Sequence, residues 1–332
     1  MILVTGGSGF LGGAVVRRLV ANGESVRSLQ RKDSPALREL GVDIVHADLA
    51  DREAVIQAAR GCSAVIHIAA KTGVWGPQAD YYRANVLGTR NILDACLANG
   101  IQRLVYTSTP SVIHDGGDIE GIDESAPLAT HFEIAYPATK AEAERMVLAA
   151  NCDQLGTVAL RPHLIWGPND PQLTARVLAR GKAGRLRLVG HGLKLIDSIY
   201  IDNAVDAHLL ALELIKPGAS CAGKAYFITQ GEPMPQRDLI NGILNAGGLP
   251  ACEKSISPKT AYAAGAIMEM IWKILGRQDE PMMTRFVAKQ LSTAHWYDIS
   301  AAKRDLGFEP RISVAQGLQI LQKSLLAAGN SL

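Results

Sequence analysis

Residues 1–5 form an apolar run that breaks at once into Gly6-x-x-Gly9-x-x-Gly12, and a helical pattern then runs from Phe10 to Ala21 before Asn22-Gly23 ends it. Strand, glycine loop and helix in that order leave few folds open. Such a turn needs glycine where the chain leaves the strand, where backbone must approach a ligand, and where helix and strand pack closely. The helix N-terminus then offers unpaired N–H groups to an anion. A glycine triplet alone is a weak signal. Flanked in this way, it points to a loop that holds the pyrophosphate of a dinucleotide.

The rest of the first half agrees. Strand-like runs over 25–30, 43–46, 64–68, 103–108 and 157–161 alternate with helical patterns over 34–40, 52–59, 82–98 and 140–150. This alternation builds βαβ units, so the expected fold is α/β, a Rossmann doubly wound parallel sheet with its ligand at the carboxyl ends of the strands. Segment 161–171 is a loop with three prolines, 196–214 reads as a strand end leading into a helix, and 225–229 reads as a last sheet strand. The remainder is mainly helical, interrupted by Pro250, Pro258, Pro281 and Pro310. The expected division is a dinucleotide-binding domain over 1–162, with 196–230 returning to the sheet, and a smaller helical substrate-binding cap from 163–195 and 231–332.

The second strand ends Leu29-Gln30-Arg31-Lys32. An acidic side chain at this place would accept from the ribose hydroxyls and favour NAD. Gln30 carries no charge, and the Arg31 guanidinium can hold a 2′-phosphate through two charge-assisted hydrogen bonds. NADP(H) is therefore the expected preference, with NAD(H) second; the bland alternative is that Arg31 and Lys32 are solvated loop charges. Asp48-Leu49, after the third strand, is placed to meet the adenine, although Asp48 suits a helix cap equally well.

The chemistry is expected where the 103–108 strand ends in hydroxyls, Thr107, Ser108 and Thr109, and where Tyr136 and Lys140 stand one helical turn apart on one face. A phenol titrates near ~10 and is a poor proton carrier at neutral pH. A neighbouring ammonium and a cationic nicotinamide are expected to lower that value. A strand-end hydroxyl would then hold a carbonyl against Tyr136, which donates a proton as hydride arrives.

With these pieces together, the chain resembles the extended branch of the short-chain dehydrogenase/reductase superfamily over nearly its whole length. The markers are Gly6-x-x-Gly9-x-x-Gly12, Asp48-Leu49, Ala69-Ala70, Asn85-x-x-Gly88-Thr89, Thr107-Ser108-Thr109, Tyr136-x-x-x-Lys140 and Arg161-Pro162. The resemblance assigns the catalytic hydroxyl to Thr109; Pro110 follows and serine is more usual there, so Ser108 is the alternative. Expected cofactor contacts are Gly6, Gly9, Phe10, Leu11, Gly12, Arg31, Asp48, Leu49, Ala69, Ala70, Lys71, Asn85, Thr107, Tyr136, Lys140 and Pro162. Asn85 is implied to support the cofactor side, and its bland reading is a buried helix amide. A homodimer through a four-helix contact is common in the superfamily.

Residues 200–205 (YIDNAV), Tyr297-Asp298-Ile299-Ser300 and the run from Lys303 to Gly307-Phe308-Glu309-Pro310 are similar to the 3β-hydroxysteroid dehydrogenase branch. Ser108-Thr109-Pro110-Ser111-Val112 and Asp123-Glu124-Ser125 resemble the bacterial 2-alkyl-3-oxoalkanoate reductases of long-chain olefin biosynthesis. That resemblance implies NADPH-dependent reduction of a β-keto acid with two long alkyl chains. Ile267, Met270, Ile271, Ile274 and Leu275 form one helical stripe, with Glu269 and Lys273 spaced to pair beside it. Trp272, Met282, Met283, Phe286 and Val287 add apolar surface. The stripe is expected to line a tunnel for long chains, with contact to a membrane surface or a pathway enzyme, or ordinary packing of the cap, as the alternatives. Trp75, His131 and His163 are the expected substrate contacts.

Competing readings are a hydroxysteroid dehydrogenase, a nucleotide-sugar epimerase and a cofactor-sensing regulator that does no chemistry. An epimerase needs a site for a diphosphate sugar, and the cap shows no clear basic cluster for one. A regulator need not keep Tyr136 and Lys140. A formal net charge of +2 and the lack of a basic run argue against nucleic acid as a partner. The 5 cysteines, Cys62, Cys96, Cys152, Cys221 and Cys252, lie far apart with no Cys-x-x-Cys, so no metal site or disulfide framework is expected. A chain that starts directly in a strand, with no long uncharged apolar stretch, is expected to be cytoplasmic and without a membrane span.

Overall fold

The computed structural model describes residues 1–329. Its centre is a parallel sheet of 7 strands in the order Lys224–Ile228, Gly156–Pro162, Arg103–Thr107, Ala64–His67, Ile2–Thr5, Val26–Gln30, Asp43–His46. The chain starts in the middle, runs outward on one side and then crosses to the other. The crevice between strands Ile2–Thr5 and Ala64–His67 is thus the topological switch point, where such sheets bind ligands.

Successive strand residues point to opposite faces, and both faces are covered by helices. Val4, Ile66, Val105 and Val158 pack with helices Phe10–Ala21 and Ile201–Leu214 on one side. Leu3, Val65, Leu104 and Ala159 pack with helices Arg52–Ala58, Gly88–Ala98 and Ala135–Ala149 on the other. This double burial explains the near-continuous apolar runs in the strands.

Three local features depart from the sequence expectation. The helix carrying Tyr136 begins at Ala135, before Lys140, because Pro137 falls in the first turn, where a backbone N–H has no intrahelical partner to lose. The segment expected as one helix over 82–98 starts as a π-helical stretch, Tyr82–Leu87, before becoming the α-helix Gly88–Ala98. The cap is also not purely helical. A 4-stranded sheet orders Met234–Pro235, Leu195–Ile196, His295–Tyr297 and Ile119–Ile122. These strands are only 2 to 4 residues long, too short for a clear alternating pattern.

The cap helix Pro258–Ile274 overturns two expectations. Ser257 caps its start by accepting from Thr260 N at 3.0 Å, and Gly276 leaves its end at a φ of +62°. Its inner face carries Ala261, Gly265 and Glu269, all buried. A Cβ on Gly265 would lie 2.6 Å from the Thr284 carbonyl carbon, so glycine is what lets this face approach segment 284–290. Glu269 does not pair with Lys273; its carboxylate accepts from Arg285 N at 2.7 Å and Arg285 Nε at 2.8 Å. Ile267, Met270, Ile271, Ile274 and Leu275 consequently face outward, away from the cavity at the carboxyl ends of the strands, rather than lining it as expected.

Candidate active site

A cavity of about 1110 Å³ opens at the carboxyl ends of the central strands. Gly6, Gly9, Phe10, Leu11 and Gly12 form its floor at the switch point, Arg31, Asp48 and Leu49 one end, and Ala69, Ala70 and Lys71 a wall. Thr107, Ser108, Thr109, Tyr136, Lys140 and Pro162 line the remainder together with Leu164 and Ile165. Residues from seven separate parts of the sequence therefore meet in one space.

The glycine loop fits a dinucleotide. Gly6 has a φ of +74°, and a Cβ on Gly12 would stand 2.1 Å from the Gly6 carbonyl oxygen. Any larger residue at position 12 would push this oxygen and the helix start apart. The backbone is left bare where a pyrophosphate would lie against the helix N-terminus. Gln30 is buried, its amide accepting from Ser28 Oγ at 2.8 Å and donating to Lys32 O at 2.8 Å. No carboxylate occupies the place where an NAD-type site would put one. Asp48 is instead held by Ala50 N at 2.9 Å and by Arg83 at 3.0 Å, which keep its carboxyl below the usual range. Arg83 lines the cavity too and stands as a second guanidinium near Arg31.

Beneath the chemistry lies a buried hydrogen-bonded floor. Lys140, 2% exposed, donates from Nζ to Thr107 O at 2.6 Å and sits 4.1 Å from the centre of the Tyr106 ring. Thr107 Oγ1 bonds His208 Nε2 at 2.8 Å, while His67 bridges Thr5 Oγ1 at 2.8 Å and Thr89 Oγ1 at 3.0 Å. Burial pushes Lys140 down to about 7, with Glu144 opposing the shift. One turn further along the same helix, buried Glu144 takes two hydrogen bonds from Arg161, at 3.0 and 2.6 Å.

Tyr136 shows the reverse of the expected shift. Burial pushes its phenol up to about 12, and the group that pulls it back is the Thr109 hydroxyl rather than Lys140. The ammonium is turned toward the Thr107 carbonyl, so its charge does not offset desolvation at the phenol. A phenol in this state keeps its proton at neutral pH. Thr109 Oγ1 also accepts from Ser111 N at 3.3 Å, capping the short 3-10 turn Pro110–Ile113. Ser108 Oγ, by contrast, is buried with no partner among the described residues.

Four expected contacts lie elsewhere. Asn85 does not line the cavity; it holds the wall by accepting from Lys71 N at 2.7 Å and donating to Thr139 Oγ1 at 3.0 Å. The π-helical stretch is what turns its amide inward, and such bulges gather at functional sites. His163 is buried with Nδ1 on Asp197 O at 2.7 Å, in a ring cluster with His295 and Tyr297. Trp75 donates to Arg277 O at 3.1 Å, and His131 is exposed; neither reaches the cavity. Sequence reasoning missed Arg83, Thr72 and segment 170–173 as lining residues, and His67, His208 and Glu144 as support. The acid–base spacing of Lys140 and Glu144 was the one available signal, and it reads equally as a surface pair.

Among the described residues no group of histidine, cysteine or acidic side chains is arranged to hold a metal ion, and no helix is long and apolar enough to cross a membrane.

Residues 3–256 match the model of the 3-beta hydroxysteroid dehydrogenase/isomerase family. The chain is 52% identical over 328 residues to a 2-alkyl-3-oxoalkanoate reductase of Stenotrophomonas maltophilia, covering 98% of this chain and 99% of the relative. It is 50% identical over 330 residues to a protein of the same name from Shewanella oneidensis, covering 97% and 85%. Among solved structures, gox2253 superposes with a TM-score of 0.79 at 25% identity, covering 99% of this chain and 98% of that one.

Proposed function

Since the chain belongs to the 3-beta hydroxysteroid dehydrogenase/isomerase family, whose members here are NAD(P)-binding oxidoreductases of the extended short-chain type, we propose that it reduces a long-chain 2-alkyl-3-oxoalkanoate to the 3-hydroxy acid with NADPH. The observation that carries the reading is the meeting of Tyr136, Thr109 and Lys140 in the cavity that also holds the glycine loop. The full-length relatives of that name narrow the substrate class.

The nicotinamide, when bound, supplies the hydride. Thr109 Oγ1 and Tyr136 Oη together hold the carbonyl oxygen. Tyr136 gives up its proton as the alkoxide develops. Lys140 is anchored on Thr107 O beneath the site, and its proposed role is to hold the ribose hydroxyls of the cofactor. Ser108, with its free buried hydroxyl, is the second candidate for the carbonyl. Thr109→Val and Ser108→Ala separate the two, the larger loss of kcat marking the residue that holds the oxygen.

For the cofactor, Gln30, Arg31 and Arg83 support a 2′-phosphate. Arg31→Ala is expected to lower kcat/KM for NADPH by about 10- to 100-fold and leave NADH nearly unchanged. Product analysis with a synthetic 2-alkyl-3-oxoalkanoate, beside a 3β-hydroxysteroid, tests the substrate. A 3-hydroxy acid formed with NADPH supports the reading; turnover of the steroid alone, or a clear NADH preference, overturns the corresponding part.

A further inference from the structure

We propose that the outward face of helix Pro258–Ile274 is a docking surface for an anionic lipid bilayer. The helix is about 25 Å long. It turns its polarity inside out: Glu269 is buried on Arg285, while Ile267, Met270, Ile274 and Leu275 are 55%, 56%, 76% and 63% exposed. Ile271 and Met282 extend the same surface. An apolar ridge of this size on a folded chain marks an interaction surface.

The charges beside it select the partner. At 100° per residue, Lys259 and Lys273 fall on one flank of the ridge, and among the described residues neither is paired with a carboxylate. Around the C-terminal half of the ridge, Glu269 is committed to Arg285, Asp279 to Arg277 and Glu280 to Arg176. A basic flank beside an apolar ridge fits anionic headgroups above acyl chains. A second copy would instead set this lysine flank against itself in a two-fold contact.

Position supplies the reason. The turn after the helix is fastened to both rims of the cavity. Glu280 accepts from Val74 N at 3.0 Å, beside Lys71 and Thr72 of one wall. Arg176 and Arg180, on the helix that starts at the lining residue Leu173, reach Glu280 at 2.6 Å and Met282 O at 3.1 Å. A bilayer held on the ridge would therefore lie beside the cavity mouth, where a two-chain lipid enters. The purpose rests on the substrate reading above, but binding to lipid does not depend on it.

The test is flotation of the full chain with vesicles of phosphatidylcholine, with and without phosphatidylglycerol. We expect about tenfold more protein to float with the anionic vesicles, an effect removed by Lys259→Ala/Lys273→Ala. Ile271→Glu/Ile274→Glu should abolish flotation while circular dichroism and NADPH-dependent turnover of a short, water-soluble β-keto ester stay unchanged. Wild-type protein that does not float, or a Glu variant that floats equally, overturns the proposal. So does a wild-type dimer in light scattering that the Glu variant converts to monomer, since a second copy then covers the ridge. Flotation without reduction of long-chain β-keto acids would leave the surface standing and defeat the substrate reading.

Discussion

Two helices of this chain break the usual rule of burial in opposite directions. Helix Ala135–Ala149 buries a lysine and a glutamate, Lys140 and Glu144, and helix Pro258–Ile274 exposes isoleucines, methionine and leucine. The first inversion finds partners inside the fold, although Arg161 Nη1 is left without one. Lys140 has the Thr107 carbonyl and the Tyr106 ring, and Glu144 has Arg161. The second has no compensation inside the fold. A buried ionisable group with partners around it, beside a cavity, marks where the protein does chemistry; an apolar ridge with none marks where it meets something else.

Substitutions sharpen this contrast. Tyr136→Phe removes the proton donor and should lower kcat by about 10³-fold, within the range for a general acid, with the unfolding midpoint nearly unchanged. Normal turnover in that variant would break the reading of the first helix. Glu144→Ala, a turn away from Lys140, should cost about 3–5 kcal/mol in urea unfolding, because Arg161 is left buried and uncompensated. A loss under 1 kcal/mol would mean that water reaches the guanidinium.

The buried histidines predict a pH dependence. Burial lowers His67 to about 3 and His163 and His208 to about 4. The unfolded chain binds protons near pH 6.5 that the fold refuses. The histidine contribution is therefore complete above about pH 6.5 and is lost as the pH drops toward 4, by up to about 1.4 kcal/mol per unit for each histidine that stays neutral. A flat urea midpoint from pH 7 to 4.5 would show that these rings are hydrated. The smallest effect belongs to the second helix: Ile274→Gln should shift stability by no more than about 0.5 kcal/mol, as at any exposed site. A loss of 2 kcal/mol there would show the residue packed against the protein after all.

Much of the first half was legible because its signals are local. Gly6, Gly9 and Gly12 between an apolar run and a helix specify a turn that tolerates no Cβ, and strand residues buried on both faces read as apolar runs. Tyr136 and Lys140 were legible as a spacing. What was not legible depended on groups far apart in the chain. Glu269 was expected to pair with Lys273 four residues on, yet Arg285 wins because Gly265 brings segment 284–290 close enough to offer both a backbone N–H and a guanidinium. Asn85 reads as a helix amide until the π-helical turn directs it at Lys71 and Thr139. His163 reads as a pocket residue until Asp197 O claims its ring.

The sequence by itself determined the strand–loop–helix opening, the parallel doubly wound sheet and the placing of a phenol one turn from an ammonium, because each follows from the preferences of residues near one another in the chain. Tertiary structure alone decided the protonation of that phenol, the partner of Glu269 and the outward turn of the Ile267–Leu275 stripe. Desolvation and pairing depend on which distant segments close over a group, and no local pattern carries that information.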